Sequence, residues 1–151
     1  MPNTQAMCTS FKSEILQAYH NFGTTVTRGV TTADVFKGAV YLASGSLGAG
    51  TTVYSATSEI ANSGTYTAGG ATITNATPPA ITGTTAYWTP SAQIQFTSVT
   101  FTAADALLVY NSSQGNRAVS VHNFGSQSVT TGTFTLTMPV NGAGTALINI
   151  A

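Results

Sequence analysis

The chain is 151 residues long and carries four Lys or Arg and four Asp or Glu side chains, for a formal net charge of zero. An average soluble domain is roughly a quarter charged, and here the polar role passes to 28 threonines, with serine, asparagine and glutamine helping. This composition excludes the basic stripe of a nucleic-acid binder and offers few of the ionisable groups that catalysis needs. With no run of about 18 apolar residues, it also excludes a membrane-spanning helix.

Residues 1–10 are polar and weakly patterned. They are expected to form an N-terminal arm, docked on its own domain or on a neighbouring subunit. They lack the basic start and apolar core of a signal peptide, so synthesis in the cytoplasm is expected. Phe11, Ile15, Ala18, Tyr19 and Phe22 recur at three- and four-residue spacing, which predicts one amphipathic helix over residues 11–22. Thr9 or Ser10 can cap its start and Gly23 can end it.

From Gly23 onward the period changes toward two. Residues 24–32 are β-branched and turn-like, an arm or short strand. Residues 35–43 alternate and read as a strand. Residues 44–50 are a glycine-rich loop, and 51–56 a short strand. Asn62-Ser63-Gly64 and Ala68-Gly69-Gly70 are turn signals. Residues 71–76 resume as a strand, which Thr77-Pro78-Pro79 must end because proline has no ladder donor.

Residues 84–89 form a strand with Tyr87 and Trp88 on opposite faces. In residues 93–101 the apolar parity slips from Ile94 and Phe96 to Val99 and Phe101, the mark of a bulge near Thr97-Ser98. Residues 106–110 are apolar on both faces, as in a central buried strand. Residues 117–123, 131–138 and 145–150 complete the set. About eight short strands with turn clusters between them predict an all-β fold. The expected architecture is an antiparallel β-sandwich or jelly roll with one N-terminal helix, a single domain over residues 11–151. Its core should draw on Phe36, Val40, Leu42, Ile94, Phe96, Leu108, Phe134, Leu136 and Ile148. A chain this long can bury about 70% of its unfolded surface. It needs no disulfide, and the lone Cys8 could not form one within the chain.

Groups with catalytic or ligand chemistry are sparse. His20 and His122 are the only histidines, and neither is spaced with Cys8 or an acid as a zinc site requires. His20 is placed at a helix end and His122 at a strand end. Among the carboxylates, no spacing supports a glycosidase-type dyad. Glu14 and Glu59 are expected to pair with cations or cap turns. Asp34 and Asp105 each precede a strand, as turn side chains do. Gly45-Ser46-Leu47-Gly48-Ala49-Gly50 lacks the Lys-Ser or Lys-Thr ending of a phosphate loop. No catalytic, cofactor-binding or metal-binding residue is therefore assigned.

Several phrases carry a resemblance. They are Phe36-Lys37 leading to Tyr41-Leu42, Tyr54-Ser55-Ala56-Thr57-Ser58-Glu59-Ile60, and Gly64-Thr65-Tyr66-Thr67-Ala68-Gly69-Gly70-Ala71. Two more are Tyr110-Asn111-Ser112-Ser113-Gln114-Gly115-Asn116-Arg117-Ala118-Val119 and Gly132-Thr133-Phe134-Thr135-Leu136. Taken together, residues 11–151 resemble a family of small structural proteins of tailed bacteriophages, typified by cyanophages and other podoviruses. Residues 24–32 depart from that pattern as an insertion. The resemblance implies a non-enzymatic virion component on the capsid exterior, a cement or decoration protein. Its implied partners are the major capsid protein and further copies of itself, as a homo-dimer or homo-trimer, with no cofactor, nucleic acid or membrane. The alternative it implies is a tail- or fibre-associated protein that binds a host glycan.

Overall fold

The computed structural model describes residues 3–16, 19, 20, 22, 33–74 and 78–151. A single long hairpin organises them. Strands β6 (Ile94–Asn111) and β7 (Arg117–Leu136) are 18 and 20 residues long. At about 3.3 Å per residue, each would span roughly 60 Å if straight. The turn between them uses Gly115 and Asn116 at φ of 65° and 59°, a backbone region that glycine and asparagine enter most easily.

The hairpin is not straight, and this accounts for the parity slip. β6 carries an extra residue relative to β7 between Phe96 and Val99, and again between Phe101 and Ala104. Ser98 and Ala103 take positive φ at those places, 55° and 56°. β7 answers with extra residues around Gly125 and Thr131, at φ of 76° and 47°. Each bulge turns the strand so that the next apolar side chain faces inward again. The expected boundary between residues 101 and 106, and the one between 123 and 131, are therefore overturned. The bulges absorb the irregular stretches, and pairing runs through them.

Strand β2 (Phe36–Leu42) pairs antiparallel with the proximal half of β6, from Phe36↔Asn111 to Leu42↔Ala104. β1 (Ala6–Met7) pairs with β7 at Val121 and Ser120, and β3 (Ala71–Thr72) with β2. The large sheet has the order β1-β7-β6-β2-β3. A second antiparallel sheet contains β4 (Ala80–Thr82), β5 (Thr85–Trp88) and β8 (Ile148–Ile150), in that order. The fold is all-β with one short helix, as the alternation predicts.

Residues 3–8 belong to this domain. Besides the β1 pairing, Asn3 is buried and Cys8 donates its N–H to the Val119 carbonyl. Helix α1 (Thr9–Leu16) is shorter than the periodicity predicts. Tyr19, His20 and Phe22 lie outside it. A continuous helix would hold Phe11 and Phe22 about 16 Å apart along its axis, whereas their rings meet edge-on at 5.8 Å. Phe22 stacks on Phe36 at 4.4 Å and meets Trp88 at 4.9 Å. Packing of this aromatic cluster outweighs the helix pattern, aided by the weak helix propensity of tyrosine, histidine and phenylalanine.

The short strand expected at 51–56 is a single bridge, Val53↔Arg117. β1 already occupies the adjoining edge of β7. Strand 71–76 shortens to Ala71–Thr72, and residues 75–77 and 24–32 lie outside the described residues. β4 is an element the prolines concealed. Of the expected core, Phe36, Val40, Ile94, Phe96, Leu108, Phe134 and Ile148 are buried, while Leu42 and Leu136 are partly buried against them. Trp88 is buried and Tyr87 is not, in keeping with opposite faces.

Candidate functional site

The most developed polar cluster is built around Glu59. Residues 58–60 run beside β2: Leu42 N–H bonds to Ser58 O, and Ile60 N–H bonds to Val40 O. This fixes the Glu59 carboxylate over the sheet. Its Oε1 accepts from the Tyr66 hydroxyl at 2.5 Å and from Gly69 N–H at 2.7 Å, and its Oε2 accepts from the Tyr54 hydroxyl at 2.6 Å. Tyr110 adds a bond to the Gly69 carbonyl and stacks on Tyr54 at 4.7 Å. Tyr41 donates to Ser55 O. Burial, then the neighbouring carboxylate, pushes the Tyr41, Tyr54, Tyr66 and Tyr110 hydroxyls above the usual phenol range. They remain donors at every ordinary pH. The cluster ties the loop of residues 43–70 to the sheet, and Glu59 thereby serves the turn around Gly69, one of its two expected roles.

The other predicted acids are also engaged. Asp105 is not a turn residue. It sits inside β6, buried, and its oxygens accept from the side-chain amides of Asn3 and Asn123. The bulge at Ala103 places it in the strand. Asp34 accepts from Asn111 Nδ2 at 2.8 Å and from Gln114 Nε2 at 3.1 Å, bracing the β6–β7 turn. Glu14 lies in α1, with its side chain outside the described residues. His20 is not at a helix end. It is buried between Phe11 and Phe36, with Nδ1 3.1 Å from Asn111 Nδ2.

His122 lies within β7 and not at its end. Its Nε2 is 2.8 Å from Ser120 Oγ, two residues away on the same strand face. Burial lowers its pKa to about 4, so it is a neutral imidazole near pH 7. Ser120 is itself buried and paired through its backbone with Met7. The pair faces a cleft of about 460 Å³ beside β8, lined by Ser120, His122, Gln5, Thr145 and Asn149. A second, of about 630 Å³, is walled by hydroxyls from Ser44, Ser46, Thr51, Ser55, Thr57 and Ser58. Neither contains a carboxylate. Among the described residues, no group of three His, Cys, Asp or Glu is placed to hold a metal, and no helix is long and apolar enough to cross a membrane.

The convergence of Tyr54 and Tyr66 on Glu59, with Tyr110 bonded to Gly69 beside them, was not anticipated. A signal for it existed, since Glu59 is a lone acid within a tyrosine-containing stretch that has no cation. The Ser120–His122 pair was also missed, and its two-residue spacing in a strand was the available signal.

The distal part of the hairpin has a different character. No Asp, Glu, Lys or Arg occurs in residues 60–104 or 118–151. Along the ribbon, Gln95, Thr97, Thr100, Thr102, Thr130 and Thr133 are exposed, and Phe96, Val99, Phe101 and Phe134 are buried. No protein-family model, curated protein or solved structure matches the chain.

Proposed function

We propose that this chain is a non-enzymatic structural protein of a phage virion, a capsid cement or decoration protein that binds the major capsid protein shell. The observation that carries this reading is the uncharged distal part of the β6–β7 ribbon, residues 94–104 and 118–136. It presents hydroxyls and amides outward on a backbone braced by bulges and aromatic packing. Such a surface can be covered by a partner without burying an unpaired charge, which is the costly event at an interface. The engagement of Glu59, Asp105 and Asp34 in tying loops and turns down supports the same reading, as does the resemblance of residues 11–151 to small phage structural proteins.

The mechanism is physical. A shell offers many equivalent sites, so modest contacts are multiplied by neighbours. Binding that favours the assembled state alone stabilises it by mass action. Residues 3–8 are held on the domain through β1, Asn3 and Cys8, so the ribbon replaces the N-terminal arm as the contact surface in this reading. The test is re-addition of purified protein to particles that lack it. Particles should lose their genome at lower temperature without the protein and recover with it. A Thr102→Lys, Thr133→Lys double variant should fold normally and fail to restore them. Full restoration by that variant would remove the ribbon from the mechanism.

A further inference from the structure

The small sheet leaves part of its apolar face and one edge uncovered. The registers Ile81↔Ala86↔Ile150 and Trp88↔Ile148 place these five side chains on one face, because residues two apart along a strand share a face. Trp88 and Ile148 are buried, Trp88 against Phe22 and Phe36. Ile81 is 76% exposed and Ile150 43%. One apolar row therefore starts in the core and runs out into solvent. The opposite face is polar, with Thr82 and Tyr87 joined through their hydroxyls at 3.2 Å.

β4 is the outer strand of this sheet. Gly83, at φ 59°, and Thr84 make the two-residue loop to β5, with glycine at the first central position as that turn requires. Residues flanking such a loop exchange the ladder hydrogen bonds. Ile81, one residue further back, then directs its N–H and C=O to the open side. Exposed edges are blunted by shortness, proline, lysine, inward charge or a bulge. β4 is short and follows two prolines, but its pairing with β5 is regular and no charged residue lies between 60 and 104. Pro78 and Pro79 limit the open stretch to its three residues, which suits one discrete pairing and not a growing fibre.

We propose that this edge is a two-fold interface with a second copy of the chain, in which β4 pairs antiparallel with its counterpart about Ile81. An antiparallel pair centred on one residue is self-complementary, as an isologous contact must be. Two identical neutral edges meet without like-charge repulsion, whereas a charged partner would find no counter-charge. The pairing joins two small sheets into one and continues the apolar row through Ile81 into its copy. The patch is smaller than the roughly 1,200–2,000 Å² of a stable interface, so the dimer is weak in solution and is reinforced when neighbours hold both copies on a shell. This deepens the oligomeric part of the proposed function. It is tested on free protein, so its failure and failure of shell binding are separate results.

The experiment is sedimentation velocity of the full chain over a wide concentration range, with circular dichroism to verify folding. The wild type should show a concentration-dependent monomer–dimer equilibrium, and Ile81→Lys should raise the dimer Kd about tenfold or more. A hydrogen-bonded antiparallel pair has Cα atoms about 5.5 Å apart, within disulfide reach. Ile81→Cys should therefore form a linked dimer under mild oxidation much faster than Val140→Cys, an equally exposed position at 77% that lies off the edge. Cys8 is buried and stays silent. A wild type that is monomeric throughout, a dimer indifferent to Ile81→Lys, or equal cross-linking at both cysteines would overturn the proposal.

Discussion

Removal of the Glu59 carboxylate should be among the most damaging changes available outside the apolar core. In Glu59→Ala, three donors lose their acceptor: the Tyr54 and Tyr66 hydroxyls and Gly69 N–H. Tyr54 is only partly buried and can turn to water. Tyr66 is buried, and Gly69 N–H is pinned in its turn. The unsatisfied buried Tyr66 donor costs about 1–3 kcal/mol, and the half-buried Gly69 N–H adds up to as much, for about 1–6 kcal/mol together. For a domain of this size, 1 kcal/mol corresponds to about 2–4 °C in Tm. A central loss of about 4 kcal/mol then lowers Tm by roughly 8–16 °C. Glu59→Gln keeps the shape and one oxygen but sets an amide donor against a hydroxyl donor. It should lose less, about 1–3 kcal/mol. Urea unfolding followed by circular dichroism, with the slope compared between variants, provides the numbers. A Glu59→Ala protein within about 0.5 kcal/mol of wild type, the range of an ordinary surface change, would refute the claim that this carboxylate anchors the loop.

Further predictions concern pH and backbone. The pKa of His122 is depressed by burial to about 4, below the unfolded value of about 6.5. Its contribution is therefore present above pH 6.5 and is lost as pH falls toward 4, up to about 3 kcal/mol. His122→Gln should flatten the stability profile between pH 6.5 and 5. The raised tyrosine pKa values act at the other end. Stability is intact below the unfolded phenol value of about 10 and is lost as pH rises past it. Phenolate absorbance of Tyr41, Tyr54, Tyr66 and Tyr110 should then appear together with cooperative unfolding, and a smooth titration of these four in folded protein near pH 10 would contradict the cluster. Gly70 sits at φ 71°, where an added Cβ would lie 2.0 Å from the Gly38 carbonyl oxygen. Gly70→Ala should cost about 4 kcal/mol or more, measured by the same urea titration.

Much of the fold was legible because two periods are hard to confuse. The slip at Thr97-Ser98 announced a bulge, and Ser98 takes positive φ there. The apolar run 106–110 announced the central strand. The length of β6 and β7 was hidden, because a bulge and a turn look alike in sequence: Thr102-Ala103-Ala104-Asp105 satisfies both until its partner strand is known. The helix was overextended because Tyr19 and Phe22 fit its period, while the aromatic cluster that claims Phe22 involves Phe36 and Trp88, distant in the chain. The Glu59 cluster depends on tyrosines from three separate segments. Spacing alone could not bring Tyr110 to Gly69. Asp105 was misread for the same reason, since its partners Asn3 and Asn123 are contributed by β1's approach and by β7.

The most direct test of the proposed role is to look for this protein in a cryo-electron microscopy map of phage particles assembled in its presence. A cement or decoration role predicts this fold at every equivalent position on the outer shell, with the threonine-bearing face of the β6–β7 ribbon against the major capsid protein. Copies confined to the tail or its fibres, together with particles that stay intact but fail to adsorb when the protein is missing, would contradict it and favour a receptor-binding role.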